Sequence, residues 1–306
     1  MRILVLGAGG IGGYFGARIH AAGGDVTFLV RPVRAAQLRE SGLKVSSPFG
    51  DLQVAPVVLT QDALNEPFDV IILSCKAYDL ASAMDAIAPA VGDGSVILPL
   101  LNGVRHIDAL IARFGGAHVL GGVAAISVML APDGEIRHLN KMHRMLTGSL
   151  TVPPSPWLSA LLPLLNASGI EFVLSENVEQ AMWDKIVFLS TLAGATCLMR
   201  ASIGDILTTV GGESFITGLL TESALTAAAG GHAVSDTQLE TYRKQLTEAG
   251  SGLMASMLRD VERGAETEAE HILGDLIGRA QTKNIATPLL RIAYSHLQAY
   301  AKRRPH

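Results

Sequence analysis

A chain of 306 residues with 49% apolar and 17% charged side chains is too long for one simple core and too apolar to remain unfolded, so two compact domains are expected. A net charge of −4 excludes general attraction to nucleic acid or anionic membrane surfaces and leaves only local basic sites. Two cysteines, Cys75 and Cys197, make no disulfide framework and suit a reducing cytoplasm, and no His or Cys cluster has metal-ligand spacing, so no metal is expected.

The chain opens on an apolar strand over 2–6 that runs into Gly7-Ala8-Gly9-Gly10-Ile11-Gly12, with a second strand over 26–30. This is the order of a βαβ dinucleotide-binding unit. Gly7 permits the tight turn, Gly9 lets backbone approach a pyrophosphate, and Gly12 lets the next helix sit close to the strand with its amides facing the phosphates. An NAD site usually places a carboxylate at the end of the second strand, against the ribose 2′-hydroxyl. Arg31 stands there instead, with Arg34 three residues on, and an arginine suits the 2′-phosphate of NADP(H). The apolar start reads as a strand rather than a signal peptide, because the run breaks at Gly7. The uncharged stretch over 114–132 contains His118 and two Gly-Gly pairs and reads as a buried strand rather than a membrane span.

Further strands are expected over 52–58, 69–74, 95–100 and 118–129, then an antiparallel hairpin-like pair over 134–139 and 143–150. Pro153-Pro154 opens a connector to a helix over 157–167 and a last strand over 171–174. From Asn177, which forms a capping-box-like pair with Gln180, the pattern becomes helical: 177–199, 213–230, 235–263, 266–282, and a final helix with Thr287 as N-cap and Pro288 in the first position. The expected architecture is an α/β N-terminal Rossmann domain with a mostly parallel sheet over 1–175, and an all-α C-terminal domain over 176–306. Apolar C-terminal helices leave a homodimer open.

Ligands of open α/β sheets sit outside the carboxyl ends of the strands, where Lys76 and Asn102 stand. Read singly, Lys76 is a solvated lysine and Asn102-Gly103 a turn dipeptide; their shared rim makes both candidates. In Trp183-Asp184-Lys185, the lysine heads a helix that is apolar nearly all round. Desolvation there lowers its pKa and makes it a usable proton donor, unless it snorkels to water.

The glycine turn, Arg31, Lys76-Ala77, Asn102-Gly103, Trp183-Asp184-Lys185 and Thr267-Glu268, in this order, resemble the ketopantoate reductase (2-dehydropantoate 2-reductase) family along nearly the whole chain. The resemblance implies an NADPH-dependent reductase of a small 2-oxo acid, with its active site in a cleft, and the expected compartment is cytoplasmic from composition. Lys185 would be the general acid, Asn102 a contact to cofactor and substrate, and Glu268 a hydrogen-bonding partner of either. Ser256 would lie near the substrate carboxylate and Lys76 would support the nicotinamide end. The family typically has asparagines four and eight residues after the lysine, where this chain has Leu189 and Ala193, which makes one substrate-binding wall less polar. Two alternatives follow: a family member retuned to a less polar 2-oxo acid, and a non-catalytic NADP(H)-binding redox sensor. The sensor needs only the glycines and Arg31, so the joint presence of Lys185, Asn102 and Glu268 argues against it.

Overall fold

The computed structural model describes residues 1–151 and 156–304. The chain forms two compact units: Met1–Leu101 with His106–Glu179, and Asn102–Arg105 with the chain from Gln180 on.

The first unit is built on a five-stranded parallel sheet in the order β5-β2-β1-β6-β7, where β1 is Arg2–Leu6, β2 Asp25–Leu29, β5 Val57–Leu59, β6 Val70–Leu73 and β7 Val96–Pro99. The chain winds outward from β1 through β2 to β5, then returns to the other side of β1 for β6 and β7. The winding therefore reverses between β1 and β6, and ligands of doubly wound sheets sit at such a point. The central strands β1 and β6 read as unbroken apolar runs because both faces are covered. Helix α1 (Gly10–Ala21) buries Tyr14, Phe15, Ala17 and Ile19 fully, with Gly16 close against Phe28 and Val5 of the sheet. Helices α2 (Pro32–Ser41), α3 (Leu80–Ile87) and α4 (Arg105–Phe114) follow β2, β6 and β7.

A second sheet joins β3 (Leu43–Ser46), β4 (Leu52–Val54), β9 (Ile136–Ser149) and β10 (Glu171–Leu174), with β8 (Leu120–Leu130) antiparallel to β9. Two expectations are corrected here. The single strand over 52–58 is two strands in different sheets, because Pro56 interrupts the ladder between β4 and β5. The hairpin placed within 134–150 lies one element earlier. β9 runs on as one strand, bulged at 139–142 where its register against β8 shifts, and the chain reverses at Pro132-Asp133-Gly134, where Gly134 has φ +85° and Ala131 N–H donates to Glu135 O at 2.8 Å. Helix α5 (Pro156–Ala167) stands where a helix was expected, and the connector at Pro153-Pro154 lies outside the described residues.

From α6 (Val178–Met199) onward the described chain is helical: α7 (Ile203–Leu207), α8 (Gly212–Ala229), α9 (Asp236–Leu246), α10 (Ser256–Glu262), a π-helical turn (Glu270–Gly274), α11 (Asp275–Thr282) and α12 (Pro288–Arg303). Helix α6 is long and apolar enough to cross a membrane by composition, but 67% of its most apolar window is buried in the protein, as in a core helix. The long helix expected over 235–263 is two, because the chain between them turns at Gly250 (φ +71°) and lays Ser251 and Leu253 carbonyls on the N–H groups of Gly204 and Ile203. The helix expected from 266 begins later, with the π turn. Helix α7, unforeseen, is closed by a Ser202–Asp205 capping box.

Thr287 does not cap α12 with its side chain, contrary to expectation. Glu222 of α8 does so instead, its carboxylate accepting from the Leu289 and Leu290 N–H groups at 2.9 Å each. A buried carboxylate on a helix N-terminus couples α8 to α12 through charge-assisted bonds that contribute about 1.5–3 kcal/mol each. Glu222→Ala is expected to lower unfolding stability by about 2–3 kcal/mol in urea titration; a change below about 0.5 kcal/mol would show that the cap is dispensable.

Candidate active site

The glycine turn is held from below. Gly7 adopts φ +89°, a conformation that L side chains rarely take, while its N–H donates to Leu29 O at 2.9 Å and ties the end of β1 to β2. A Cβ on Gly12 would lie 2.0 Å from Ser74 Oγ and 2.7 Å from Gly7 O, so only glycine lets α1 approach the strand ends this closely. Gly9 is different. A Cβ there meets nothing within 4 Å, and its φ of −85° and ψ of −161° suit any residue. The protein's own packing does not require glycine at position 9, whereas a phosphate group lying on the backbone would. Helix α1 has no side-chain cap and no acidic residue in its first turn, so neither competes with an anion for its leading N–H groups and positive dipole end. These features fit a dinucleotide pyrophosphate. Ala8 is buried beneath the turn, and Gly10 and Ile11 are half-buried in it.

The two arginines have separate roles. Arg34 is half-buried and donates to Ala8 O and Gly134 O, both at 3.1 Å, and burial lowers its pKa, so it braces the glycine turn from behind. Arg31 is 81% exposed and bonded to Asp79 at 3.2 Å, which leaves it as the arginine of the pair with its guanidinium displayed. Lys76 is half-buried just beyond β6.

In the second unit, Asn102 leads a short loop turned by Gly103 at φ +91°, where a Cβ would stand 3.2 Å from His271 O. Two residues on, Arg105 pairs with Glu270 at 3.3 Å, and Tyr294 Oη donates to the same carboxylate. The loop bearing Asn102 is therefore seated on the π-helical turn that follows Glu268. Lys185 lies two turns into α6, half-buried by area, with its ammonium deep enough that burial pushes its pKa down to about 8, while the Glu268 carboxylate pulls it back up. Glu268 is itself buried, at 8% exposure, and the charged run around it conceals this in the sequence. His271, also buried, has its pKa lowered chiefly by burial, against the pull of Glu268, so it is neutral at pH 7.

The neighbours of Lys185 hold its helix in place. Trp183 is buried and stacks on His232 with centroids 4.9 Å apart, and the Arg279 guanidinium lies 5.5 Å from its ring centroid. Leu189 and Ala193 follow Lys185 at helical spacing, half-buried and buried respectively. Ser190 and Thr191 are spent inside the protein: both hydroxyls bond Val187 O, and Ser190 also reaches Ser223. Neither replaces an asparagine at 189 or 193. Ser256 is exposed at the start of α10 and its hydroxyl makes no hydrogen bond among the described residues. Asn102, Lys185 and Glu268 thus fall in one unit, and the glycines, Arg31 and Lys76 in the other. Sequence reasoning missed Arg105, Glu270, His271, Tyr294 and Asp79; a π turn carries no periodicity signal, and the first three lie in segments that read as a turn or a solvated face.

Residues 3–151 match the family described as ketopantoate reductase PanE/ApbA, and residues 177–301 match its C-terminal region. The chain belongs to the ketopantoate reductase family. It is 35% identical over 300 residues to the uncharacterized oxidoreductase YkpB of Bacillus subtilis, covering 98% of this chain and 99% of the relative. It is 28% identical to a 2-dehydropantoate 2-reductase of Halobacterium salinarum, covering 95% and 96%. The crystal structure of 2-dehydropantoate 2-reductase from Geobacter metallireducens superposes with a TM-score of 0.88 at 26% identity, over 98% and 99% of the two chains. A ternary structure of D-mandelate dehydrogenase with NADH and anilino(oxo)acetate shares the fold, with a TM-score of 0.89 at 20% identity and 99% of each chain covered. As a member of the ketopantoate reductase family, the protein is a nicotinamide-dependent oxidoreductase.

The two glycines should separate folding from binding. Gly9→Ala is expected to keep the thermal midpoint yet weaken nucleotide affinity, by fluorescence titration, by roughly tenfold or more; Gly12→Ala should lower the midpoint itself. Unchanged nucleotide affinity in Gly9→Ala would contradict the placement of a phosphate on the turn.

Proposed function

We propose that the protein reduces a 2-oxo acid to the 2-hydroxy acid with NADPH, with ketopantoate to pantoate, a step toward pantothenate, as the first candidate. The observation that carries this reading is the buried ammonium of Lys185 beside the Glu268 carboxylate, its pKa near 8 rather than the usual 10.5. A bound reduced nicotinamide supplies the hydride. As negative charge grows on the substrate's carbonyl oxygen, Lys185 Nζ neutralises it and delivers a proton, leaving a neutral amine that bulk solvent recharges. An ammonium with a pKa of about 8 is still mostly charged at pH 7, yet gives up its proton more readily than a solvated lysine. Glu268 keeps that charged form populated despite burial. Asn102 can offer its carboxamide N–H to the substrate, and Arg31 can take the 2′-phosphate of NADPH.

A second substrate reading rests on Leu189 and Ala193. A hydrogen bond to a charged group contributes about 1.5–3 kcal/mol, so the absence of an asparagine from this wall weakens recognition of a polar 2-oxo acid roughly ten- to a hundredfold. A less polar 2-oxo acid loses nothing there.

NADPH oxidation with ketopantoate and with branched and aromatic 2-oxo acids distinguishes the readings. Preference for ketopantoate supports the first and preference for another acid the second. Nucleotide binding without turnover of any 2-oxo acid contradicts both and favours a sensor. In every reductase case Lys185→Ala is expected to lower kcat roughly a hundredfold or more.

The pH profile carries a sign. Reduction needs Lys185 protonated, so kcat/KM should fall as pH rises through about 8. Glu268 favours the charged amine, so Glu268→Gln should move that alkaline limb to lower pH. A limb that stays in place or moves upward contradicts the pairing.

A further inference from the structure

We infer that Asp79 is a nucleotide-specificity residue whose carboxylate competes with the 2′-phosphate of NADPH for Arg31, narrowing the preference for NADPH over NADH. This rests on the reading that a nicotinamide dinucleotide occupies the glycine turn. Asp79 stands at the N-cap position of α3, with φ −90° and ψ 0°. An aspartate that caps a helix accepts from the N–H groups of its first turn, but Asp79 ends a 3-10 turn over Ala77–Asp79 and lacks the extended backbone of a cap. Asp79 makes no such bond; its carboxylate is directed to Arg31 Nη2, 3.2 Å away.

The topology says what that pair spans. β2 and β6 are the two neighbours of β1; Arg31 follows β2 and Asp79 follows β6. Their ion pair therefore bridges the carboxyl end of β1, where the glycine turn begins. Both partners are solvent-accessible, Arg31 at 81% and Asp79 at 38%, so the pair adds little to stability, and its consequence is for what binds beside it.

With a free guanidinium, a phosphate dianion at the ribose 2′ position gains a bidentate partner. With Asp79 in place, that phosphate must displace a carboxylate and then lie near it, like charge against like. A ribose 2′-hydroxyl meets no such penalty and can donate to the carboxylate, as it does to the acidic residue of NAD sites. Arg31 and Asp79 thus act in opposite directions on the same discrimination. Neither Asp79 nor its pairing could be read from the sequence, because 48 residues separate it from Arg31.

The test is the ratio of NADPH to NADH affinity, by titration of nicotinamide fluorescence, in the native protein, Asp79→Asn and Asp79→Ser. Both variants should raise the ratio roughly three- to tenfold through tighter NADPH binding, with NADH affinity unchanged or weaker, and the gain should shrink in high salt. Kinetic preference, as the ratio of kcat/KM values, should move the same way. Binding of both nucleotides with a ratio unchanged or lowered overturns this inference alone. Failure of the native protein to bind either nucleotide overturns the dinucleotide reading and this inference with it.

Discussion

The second unit depends on an electrostatic balance at one nitrogen. Burial disfavours the Lys185 ammonium, and the Glu268 carboxylate restores part of what burial removes, leaving the amine poised near pH 8. Remove the burial and the lysine is an ordinary solvated cation; remove the carboxylate and it holds less of the charge that the proposed reduction requires. The surrounding architecture maintains both conditions. The stacked Trp183 and His232 fix the start of α6, and the π turn that follows Glu268 sets His271 against Gly103 of the Asn102 loop. Arg105, Glu270 and Tyr294 fasten that loop from its far side.

The first unit has the features of a site that would hold a polyanion with backbone. Its parallel strands reverse their winding beside β1, and α1, which has no side-chain cap, begins at the end of that strand. Gly7 and Gly12 are needed by the protein's own geometry, while the open space at Gly9 has no structural cause. That contrast links the fold to a ligand more directly than the motif does, because it distinguishes a glycine required for packing from one required for approach.

Much of this was legible in the sequence, and the failures have physical causes. Apolar runs and the glycine spacing carried β1, α1, β2, β6 and β7, since buried parallel strands leave a strong local signal. The break at Pro56 was printed in the sequence, but assigning the flanking strands to different sheets required long-range pairing. The interruption expected between 139 and 143 is a bulge in β9, and long-range pairing with β8 puts the chain reversal earlier, at Pro132-Asp133-Gly134. Lys185 was visible as a cation in apolar surroundings. Glu268 was not, because a buried carboxylate within a run of acidic residues looks like a solvated face until the fold shows which side is covered. Thr287 has the residue type of a cap, yet the bonds come from Glu222, 65 positions earlier by residue number. The absence of asparagine at Leu189 and Ala193 could be read from the sequence only against a family pattern, and the structure adds that Ser190 and Thr191 point their bonds elsewhere.

The most direct test of this account is a titration of the amine itself. NMR of the protein with isotopically labelled lysine side chains should show one resonance with a midpoint near pH 8 that is absent from Lys185→Ala. If the Lys185 resonance instead titrates with the solvated lysines above pH 10, the ammonium is not buried and the proposed proton donor is wrong.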